Sequence, residues 1–422
     1  MKGAAKMSQI VINGGNTIRG SISLQGAKNA ALPILAATVI TGGESVIHNC
    51  PRLTDVTCAI NILRHLGCLV YREGDALVVN SSTVDIDYIP DDLMNDMRSS
   101  VLFLGALIGR CGRAKISSPG GCELGPRPID IHISTLKKLG ATLTENNGEL
   151  EFSATDLLGT DIVLPLPSVG ATENALIAAS CANGTTVIKN AAREPEICNL
   201  IKYLNNAGAK ITYLKCGDIS VEGASHFNNC EITVIPDRIV ASTYMACAAV
   251  TGGEILLNKL CPEHLISVNE YFVKSGCLIK TYQNSLYLNA PKQLISTDEV
   301  RTHYYPGFPT DSAPMLLSMM LKSNGTTVFT ENIFQNRYRY TQELKKMGAN
   351  ISVYGKTAVV TGVKNLYGAK VCATDLRGGA ALVVAGLCAR GRTKINKICH
   401  ILRGYEDFCK NLKNCGADIK EI

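Results

Sequence analysis

Apolar residues along this chain are grouped in runs that recur at intervals of roughly seventy residues. Each run is apolar around the whole helical period, which is the pattern of a helix buried in a core. A polar turn and a short strand follow each run, as in Thr41-Gly42-Gly43-Glu44-Ser45-Val46-Ile47. The runs occupy residues 30–40, 101–108, 173–181, 239–250, 314–321 and 380–388.

An amphipathic helix that ends in glycine, followed by a strand pair, completes each copy of the pattern. Glycine is favoured at such a helix end because it adopts the left-handed conformation without strain. The six glycines are Gly67, Gly140, Gly208, Gly276, Gly348 and Gly416. The sequence therefore predicts six similar helix-strand units and an α/β fold.

Two globular halves of three units each explain the repeat better than a solenoid, whose period is usually about 20 to 50 residues. A chain of 422 residues also exceeds the roughly 250 to 300 residues at which one core usually divides. The midpoint of the repeat lies near residues 234–236, and we place a crossing between the halves there. The segment before Gly26 could belong to either half.

Composition narrows the class of protein. The net charge is +6 and the basic residues are scattered, so we expect no nucleic-acid partner. No apolar run reaches the roughly eighteen residues of a membrane span, and the N-terminus lacks a signal-peptide core, so we predict a cytoplasmic enzyme without membrane insertion. The 17 cysteines are most simply interpreted as reduced thiols that fill core space. Zinc, P-loop and dinucleotide motifs are absent, so we predict neither metal nor cofactor.

One loop interrupts the repeat in the second copy only. It runs Ser118-Pro119-Gly120-Gly121-Cys122-Glu123-Leu124-Gly125-Pro126-Arg127. The thiol of Cys122 lies among glycines that loosen the backbone, five positions before a guanidinium that can hold an anion. We therefore predict that Cys122 carries chemistry as an acid or a nucleophile.

Charged residues stand where the apolar helices begin. Lys28 and Asn29 precede the first helix, where the helix dipole favours an anion, although a solvated lysine beside an asparagine cap is a simpler alternative. Arg98 begins the second helix and Asp237 the fourth, where capping is the usual role of aspartate. Asp311 begins the fifth helix, and there a helix cap and a catalytic base remain equal alternatives.

The sixth unit adds Asp375, Arg377 and Arg403 in mostly apolar surroundings. Asp375 could pair with Arg377 in a structural ion pair, whereas Arg403, followed by glycine, is the better candidate for a ligand contact. Together, these positions put cations and carboxylates at the same end of matching units in both halves. Such an arrangement suits a polyanionic substrate.

Several motifs, in order, resemble one family of enolpyruvyl transferases, the UDP-N-acetylglucosamine 1-carboxyvinyltransferases. The resemblance extends from about residue 10 to the C-terminus. The motifs are Gly26-Ala27-Lys28-Asn29-Ala30-Ala31-Leu32-Pro33, Pro119-Gly120-Gly121-Cys122 with Arg127-Pro128, Ser168-Val169-Gly170-Ala171-Thr172, Ala191-Ala192-Arg193-Glu194-Pro195-Glu196, Phe308-Pro309-Thr310-Asp311, Ala373-Thr374-Asp375-Leu376-Arg377 and Arg403-Gly404-Tyr405-Glu406.

The resemblance implies two inside-out α/β barrel domains, each of three similar helix-strand units, with the active site in the cleft between them. It assigns residues 26–235, with the Cys122 loop, to an N-terminal domain. Residues 8–25 and 236–422 then form a discontinuous C-terminal domain, which resolves the open assignment of the segment before Gly26.

The implied activity is transfer of the enolpyruvyl group of phosphoenolpyruvate to the 3-hydroxyl of UDP-N-acetylglucosamine, with release of phosphate. This is the first committed step of peptidoglycan precursor synthesis, on which cell wall biogenesis, cell shape and cell division depend. The resemblance makes Cys122 the acid and the site of a covalent phosphoenolpyruvate adduct, and Asp311 the base. It assigns phosphoenolpyruvate binding to Lys28, Asn29, Arg127 and Arg403, and Lys28 is also expected to be catalytic.

For the nucleotide sugar, the resemblance points to residues from several units, and two positions depart from the pattern. Some members carry a lysine where this chain has Leu166, and many carry an acidic residue where it has Gln335. Because of Gln335 we expect altered local pairing of Arg337, without loss of activity. Asp237, Asp375 and Arg377 are expected to support the site. The matching positions are Arg98, Arg127, Pro128, Ile129, Asp130, Ile131, Ser168, Val169, Gly170, Asp311 and Ile333.

Cys122 presents a chemical tension, because nearby Arg127 and Lys28 favour the thiolate, which is a better nucleophile than acid. Bound polyanionic substrate would offset that effect. We therefore predict that Cys122 is reactive in the free enzyme and mostly protonated in the ternary complex. The glycine-rich loop also suits a lid that closes over the substrates and excludes water.

Two other functions fit parts of the pattern. A sister enzyme of the same fold transfers enolpyruvyl to shikimate 3-phosphate, but it lacks this cysteine loop. A non-catalytic repeat scaffold that binds RNA would show erosion at Lys28, Cys122, Asp311 or Arg403, and all four are present.

Overall fold

The computed structural model describes residues 8–117, 129–146, 149–215 and 217–422, with the backbone alone described at Asn95, Asp96, Arg98, Ser117 and Asn146. Helices and short groups of strands follow one another along this part of the chain. The helices are α1 Lys28–Thr41, α2 Thr54–His65, α3 Asp91–Asp96, α4 Phe103–Cys111, α5 Asp130–Lys138, α6 Val169–Ala179, α7 Pro195–Ala207, α8 Arg238–Val250, α9 Ile266–Lys274, α10 Ala313–Met320, α11 Thr341–Lys346, α12 Leu376–Cys388, α13 Cys399–Leu402 and α14 Phe408–Asn414, with short 3-10 turns at Arg98–Leu102, Pro262–Leu265 and Arg337–Tyr340.

The strands are short, as expected for a chain built from small repeated sheets. They are β1 Ile10–Asn13, β2 Arg19–Ser23, β3 Glu44–His48, β4 Leu69–Glu73, β5 Ala76–Asn80, β6 Tyr88–Ile89, β7 Arg113–Ser117, β8 Thr142–Asn146, β9 Glu149–Ser153, β10 Asp161–Val163, β11 Thr185–Lys189, β12 Lys210–Tyr213, β13 Ile219–Glu222, β14 Cys230–Thr233, β15 Glu254–Asn258, β16 Leu278–Tyr282, β17 Ser285–Asn289, β18 Leu294–Ile295, β19 Glu299–Arg301, β20 Ser323–Asn324, β21 Thr326–Thr330, β22 Asn350–Tyr354, β23 Thr357–Thr361, β24 Lys370–Cys372, β25 Arg392–Asn396 and β26 Asp418–Glu421.

The described residues form two compact units. The N-terminal unit comprises residues 26–117 and 129–235, and the C-terminal unit comprises residues 8–25 and 236–422. Each unit has its own buried apolar cluster, so each has a separate core.

The N-terminal unit contains three four-stranded sheets around buried helices. The strand orders are β14-β3-β5-β4, β6-β7-β9-β8 and β10-β11-β13-β12. Each sheet has a parallel pair at one edge and an antiparallel hairpin at the other. The helices α1, α4 and α6 pack against one another inside the unit.

The C-terminal unit repeats this plan, except that the antiparallel edge pair of its third sheet, β1 with β26, joins distant parts of the sequence and is not a hairpin. Its four-stranded sheets have the orders β16-β17-β15-β2, β19-β21-β23-β22 and β24-β25-β1-β26, and a short parallel pair joins β18 to β20. Here α8, α10 and α12 pack against one another. The parallel pair of β2 and β15 runs from Arg19 opposite Glu254 to Ser23 opposite Asn258, so it joins distant parts of the sequence.

The predicted buried helices and glycine ends are confirmed. The interior of α1 is buried from Ala30 to Thr41, and α12 is buried from Arg377 to Leu387. The six repeat glycines all have positive φ values, between 87° and 121°, which a residue with a Cβ rarely adopts. The α/β class predicted from the repeat is therefore correct.

The second apolar helix differs in one respect from its prediction. Arg98 begins a 3-10 turn that ends at Leu102, and the α-helix proper begins only at Phe103. A tighter first turn of this kind is common at helix N-termini. Across the described ranges, no helix combines the length and apolar character needed to cross a bilayer.

Candidate active site

Asp311 is held by two buried arginines of the C-terminal unit. Its Oδ1 accepts a hydrogen bond from Nη2 of Arg337 at 2.8 Å, and its Oδ2 accepts one from Nε of Arg377 at 3.1 Å. The arginine side chains are 1% and 3% exposed, whereas 27% of the Asp311 side chain is exposed. Charge-assisted hydrogen bonds thus fix the orientation of a carboxylate that still reaches solvent.

The two arginines remain charged despite their burial, because carboxylates surround them. Burial is the largest single influence and lowers the pKa of Arg377, but the surrounding groups, with the negative charge of Asp311 first among them, together outweigh it, and the net shift is upward. Burial opposes the charges of Asp311, Asp375 and Glu331 in the same way at Arg337, and the pKa of Arg337 is also raised. A buried ion pair of this kind is costly to break from one side.

Glu331 connects the Asp311 segment to Ile333. The Oγ1 of Thr310 donates to Glu331 Oε2 at 2.8 Å, and the backbone N–H groups of Ile333 and Phe334 donate to Glu331 Oε1 at 2.8 and 3.0 Å. Glu331 itself is almost fully buried. The structure therefore brings Asp311 and Ile333, both predicted from the sequence, into one hydrogen-bonded cluster.

Two of the predicted supporting residues are helix caps. The Oδ1 atom of Asp237 accepts from the N–H groups of Ile239 and Val240 at the start of α8. Asp375 accepts from the two corresponding N–H groups at the start of α12. Both aspartates therefore perform the local role that their position predicts.

Two alternatives from the sequence are wrong. The residue at the N-cap of α10 is Ser312, so Asp311 is not that cap. The carboxylate of Asp375 is directed to the backbone of α12, and the guanidinium of Arg377 pairs with Asp311 instead. Asp375 and Arg377 are only two positions apart at the start of α12, and this short separation along the chain wrongly suggested a direct ion pair.

Arg403 follows α13 in a loop that is connected to this cluster. Tyr405, two residues later, is buried, and its hydroxyl lies 2.9 Å from Thr243 Oγ1. The same hydroxyl accepts from Nη1 of Arg377 at 3.3 Å, and the Tyr405 ring stacks on Phe408. The loop that carries Arg403 therefore shares a hydrogen-bonded network with Asp311 through Arg377.

In the N-terminal unit, Lys28 is the first residue of α1 and is paired with Asp55. Its Nζ lies 3.0 Å from Asp55 Oδ2, and the two side chains are 13% and 3% exposed. The N-cap of α1 is Ala27, and Asn29 is an exposed helical residue, so the alternative of a solvated lysine beside an asparagine cap is wrong. A lysine at the positive end of a helix dipole favours an anion there.

Ser168 caps α6, as its sequence predicts, and Val169 and Gly170 form the first turn. The Oγ of Ser168 accepts from the N–H of Ala171 at 3.4 Å. A Cβ at Gly170 would lie 3.1 Å from Cε1 of His132, so the imidazole packs directly on this turn. Backbone amides and an imidazole therefore lie side by side at the start of α6.

Asn174 sets the tautomer of His132. The amide oxygen of Asn174 accepts from the N–H of Gly105 at 2.9 Å, and its amide nitrogen donates to Val101 O at 2.9 Å. These bonds fix the amide orientation, so the same nitrogen also donates to Nδ1 of His132 at 2.7 Å. A neutral His132 then carries its proton on Nε2, the nitrogen nearer Gly170.

The remaining predicted positions are only partly described. Ile129 is the N-cap of α5, and Asp130 and Ile131 are its first two residues. Asp130 also lines a shallow surface depression along α5. Cys122, Arg127 and Pro128 lie outside the described residues, and so does the side chain of Arg98.

The described cysteines are free thiols, and burial raises the pKa of many of them. The pKa is raised to about 12 at Cys68, Cys181, Cys277, Cys388 and Cys409. Thiols with such pKa values are mostly protonated and unreactive at neutral pH. In the described part of the chain, no three His, Cys, Asp or Glu side chains are grouped as metal ligands would be.

The sequence did not point to four residues that organise these groups: Asp55, Glu331, His132 and Asn174. Their partners lie up to 73 residues away, as for Asn174 and Val101. One signal was present, because Asn174 is an amide within an apolar helical run and such a group must find hydrogen-bond partners when buried.

Comparison with known proteins identifies similar sequences over almost the whole chain. The family described as EPSP synthase (3-phosphoshikimate 1-carboxyvinyltransferase) matches residues 12–412. A UDP-N-acetylglucosamine 1-carboxyvinyltransferase 2 from Caldanaerobacter subterraneus subsp. tengcongensis is 48% identical, over 99% of this chain and 100% of the relative. A UDP-N-acetylglucosamine 1-carboxyvinyltransferase from Myxococcus xanthus is 42% identical, over 98% of this chain and 99% of the relative.

Solved structures share the fold at lower sequence identity. The enolpyruvyl transferase NikO from Streptomyces tendae superposes with a TM-score of 0.90 at 23% identity, covering 98% of this chain and 99% of NikO. An EPSP synthase from Acinetobacter baumannii gives a TM-score of 0.76 at 17% identity, covering 99% of this chain and 100% of that protein. These similarities establish the two-domain enolpyruvyl transferase fold.

Proposed function

This chain belongs to the EPSP synthase family, and we propose that it transfers the enolpyruvyl group of phosphoenolpyruvate to the 3-hydroxyl of UDP-N-acetylglucosamine, releasing phosphate. It is a transferase. The proposal rests on one observation above all. Relatives at 42 to 48% identity, covered over almost their whole length, are named UDP-N-acetylglucosamine 1-carboxyvinyltransferase. The sequence identity to a solved EPSP synthase is only 17%.

The reaction requires addition followed by elimination. In the addition, the sugar 3-hydroxyl oxygen bonds to C2 of phosphoenolpyruvate, the hydroxyl proton passes to a base, and C3 takes a proton from an acid. In the elimination, C3 loses a proton, the carbon–carbon double bond forms again, and the bond from C2 to the phosphate oxygen breaks. The protein must therefore supply an acid, a base and sites for two anions.

Asp311 is the proposed base. Its carboxylate is oriented by Arg337 and Arg377 and is partly exposed, so it can accept a proton from a bound hydroxyl without losing its position. Glu331 supports the same segment through Thr310. Asp237 and Asp375 act indirectly, because they fix the starts of α8 and α12.

Cys122 is the proposed acid and the residue that forms the covalent phosphoenolpyruvate adduct. A neutral thiol has a proton to give, with an ordinary pKa near 8.5. The proposal for Cys122 rests on its motif and on the chemistry that C3 requires. Arg127, five positions later, is proposed to hold the anion that approaches the thiol.

Phosphoenolpyruvate carries a phosphate and a carboxylate, and both need cations. Lys28, Arg127 and Arg403 are the proposed cations, with Asn29 as an additional donor. The pairing of Lys28 with Asp55 holds its ammonium group at the start of α1, which supports this role. For Arg403, support comes from the loop that Tyr405 attaches to the Arg377 network.

UDP-N-acetylglucosamine carries a diphosphate between a nucleoside and a sugar. Backbone amides after the Ser168 cap, at Val169 and Gly170, are proposed to bind the diphosphate, since a helix N-terminus favours anions. The other proposed contacts come from four parts of the chain. They are Arg98, residues 127–131, Asp311 and Ile333.

The substrates also suggest where the enzyme acts. Phosphoenolpyruvate and UDP-sugars are metabolites of the cell interior, so we propose a cytoplasmic enzyme in peptidoglycan precursor synthesis, with cell wall growth, cell shape and cell division as its consequences. Small molecules are then its principal partners.

Phosphate release with alternative acceptors tests the proposal. The enzyme is incubated with phosphoenolpyruvate and either UDP-N-acetylglucosamine or shikimate 3-phosphate, and inorganic phosphate is measured. We expect release that requires the nucleotide sugar. Release with shikimate 3-phosphate alone would assign the chain to the sister activity. No release with either acceptor, together with salt-dependent RNA binding, would support the scaffold alternative.

A further inference from the structure

Gln25 holds the main chain of the loop that carries Arg403. Its Nε2 donates to Gly404 O at 3.2 Å, and its Oε1 accepts from the N–H of Glu406 at 2.7 Å. The Gln25 side chain thus reaches the first and third residues after Arg403, although about 380 positions separate Gln25 from this loop along the chain. Both ends of the amide are used, so only an amide of this length can make both bonds.

Gln25 is itself held in place through its backbone. Its carbonyl oxygen accepts from the N–H of Asp237 at 3.0 Å, immediately before the start of α8. Asp237 in turn caps α8. The amide of Gln25 therefore extends from a fixed point in the C-terminal unit, and it can position the loop that it contacts.

The loop has little other freedom on its buried side. Gly404 packs so closely that a Cβ there would lie 2.8 Å from Leu376 Cδ1, and the Tyr405 hydroxyl is held by Thr243 and Arg377. The side chain of Tyr405 is therefore anchored on one side of the main chain. The two bonds from Gln25 hold the peptide groups on either side of it.

We propose that Gln25 is a positioning residue for Arg403, acting through its two hydrogen bonds to the peptide groups that flank Tyr405. The proposal rests on the proposed function, in which Arg403 binds phosphoenolpyruvate. Without the Gln25 amide, the loop remains attached through Tyr405, but the direction of the Arg403 side chain is less restricted. Binding of phosphoenolpyruvate is then weakened, whereas the start of α6, where the nucleotide diphosphate is proposed to bind, is unchanged.

We expect a protein with Gln25 replaced to fold. A cavity of about 220 Å³ lies next to the residue, lined by Gln25, Tyr244, Glu406, Asp407 and Asn411 among others. Water in this cavity can replace the lost hydrogen bonds to Gly404 O and the Glu406 N–H. Gln25→Met keeps the length of the side chain and removes both bonds.

A matched control is available in the same unit. Gln293 also donates from its amide to main-chain carbonyls, those of Leu294 and Lys322, but it contacts a different loop. Gln293→Met therefore removes the same kind of bond at a place where no effect on phosphoenolpyruvate is expected.

The test is a double-mutant cycle in phosphate-release kinetics. Gln25→Met should raise the KM for phosphoenolpyruvate about threefold to tenfold, as expected for the loss of one or two hydrogen bonds. The KM for UDP-N-acetylglucosamine should stay unchanged, and so should both constants in Gln293→Met. In an Arg403→Met background, adding Gln25→Met should raise the phosphoenolpyruvate KM no further, because the residue to be positioned is gone.

Two results would overturn the inference. One is an equal fold-change from Gln25→Met in both backgrounds, which would mean that Gln25 acts independently of Arg403. The other is an equal rise in KM for both substrates, which would mean a general structural effect. The proposed function is judged separately by the acceptor that the wild type uses. If that acceptor is shikimate 3-phosphate, the same cycle is measured with it; if phosphoenolpyruvate is not consumed at all, both proposals fail.

Discussion

Arg377 and Asp311 lie 66 residues apart along the chain, and Nε of Arg377 donates to Oδ2 of Asp311 at 3.1 Å. Arg337 donates to the other carboxylate oxygen. The proposed base is therefore also the counter-charge of two buried cations. Replacement of Asp311 should affect stability through the two guanidinium groups and catalysis through the loss of the base, and the two effects can be measured separately.

Asp311→Asn should leave both guanidinium groups without their main counter-charge. We expect the free energy of unfolding to fall by about 3 kcal/mol, measured by urea denaturation. In samples that remain folded, kcat should fall by about 10²- to 10⁴-fold if the base is lost. Asp407→Asn is the control, because Asp407 is exposed, pairs with Lys410 at the surface and has a left-handed φ that asparagine tolerates. Wild-type kcat in folded Asp311→Asn would exclude Asp311 as the base.

Lys28 also combines a structural and a proposed catalytic role. Lys28→Met should leave the carboxylate of Asp55 buried without its cation and lower the free energy of unfolding by about 3 kcal/mol. Adding Asp55→Asn removes the stranded charge and should restore most of that loss. The KM for phosphoenolpyruvate should be higher than that of the wild type in both the single and the double variant, since neither has the Lys28 cation. A double variant with wild-type KM would show that Lys28 serves stability alone.

We predict that the stability of the N-terminal unit depends on pH through the titration of Glu173. Burial in α6, followed by the charges of Glu196 and Glu194, raises the pKa of Glu173 well above its ordinary value. The folded protein therefore keeps this proton at pH values where the unfolded chain has lost it, and unfolding releases it. The contribution of Glu173 to stability is present below the ordinary glutamate pKa and declines as pH rises through the folded value.

Glu173→Gln removes this titration while keeping the shape of the side chain. Between about pH 5 and pH 8, the free energy of unfolding of the wild type should fall relative to that of the variant. Urea denaturation of both proteins at a series of pH values measures the difference. Parallel curves over this range would mean that Glu173 does not titrate differently in the folded and unfolded chains.

The elements of the fold were predictable where their cause is local. A run such as residues 30–40 is apolar on every side, and a glycine such as Gly67 occupies a left-handed position, so both can be recognised from adjacent residues. Strand partners cannot be recognised in this way. Arg19 in β2 lies opposite Glu254 in β15, and nothing in either short strand specifies the other.

The same distinction applies to the site. Charges at helix starts, such as Lys28 and Asp311, were identified because their positions are unusual for a buried helix. Their pairings were not: Asp55 resembles any acidic residue in the first turn of a helix, and Arg377, although expected to support the site, lies closer along the chain to Asp375 than to Asp311. Ion pairs are decided by tertiary packing, which sequence spacing does not report.

Alkylation tests the prediction that Cys122 changes protonation when substrates bind. The described thiols whose pKa values are raised to about 12, such as Cys68 and Cys388, should react slowly. Exposed Cys198 and Cys399 contribute a background that Cys122→Ala measures. After subtraction, the alkylation rate should rise at lower pH in the free enzyme than with both substrates bound. An identical pH profile with and without substrates would refute the prediction.

The most direct test of enolpyruvyl transfer is the identity of the product. Phosphoenolpyruvate and UDP-N-acetylglucosamine are incubated with the wild type and with Cys122→Ala, and the products are analysed by mass spectrometry and NMR. We predict a nucleotide sugar heavier by one enolpyruvyl unit, joined through the 3-oxygen, with formation at least about 10²-fold slower in the variant. Two results would contradict this prediction. One is a nucleotide sugar that stays unchanged although the wild type consumes phosphoenolpyruvate, and the other is an equal rate of product formation in the wild type and in Cys122→Ala.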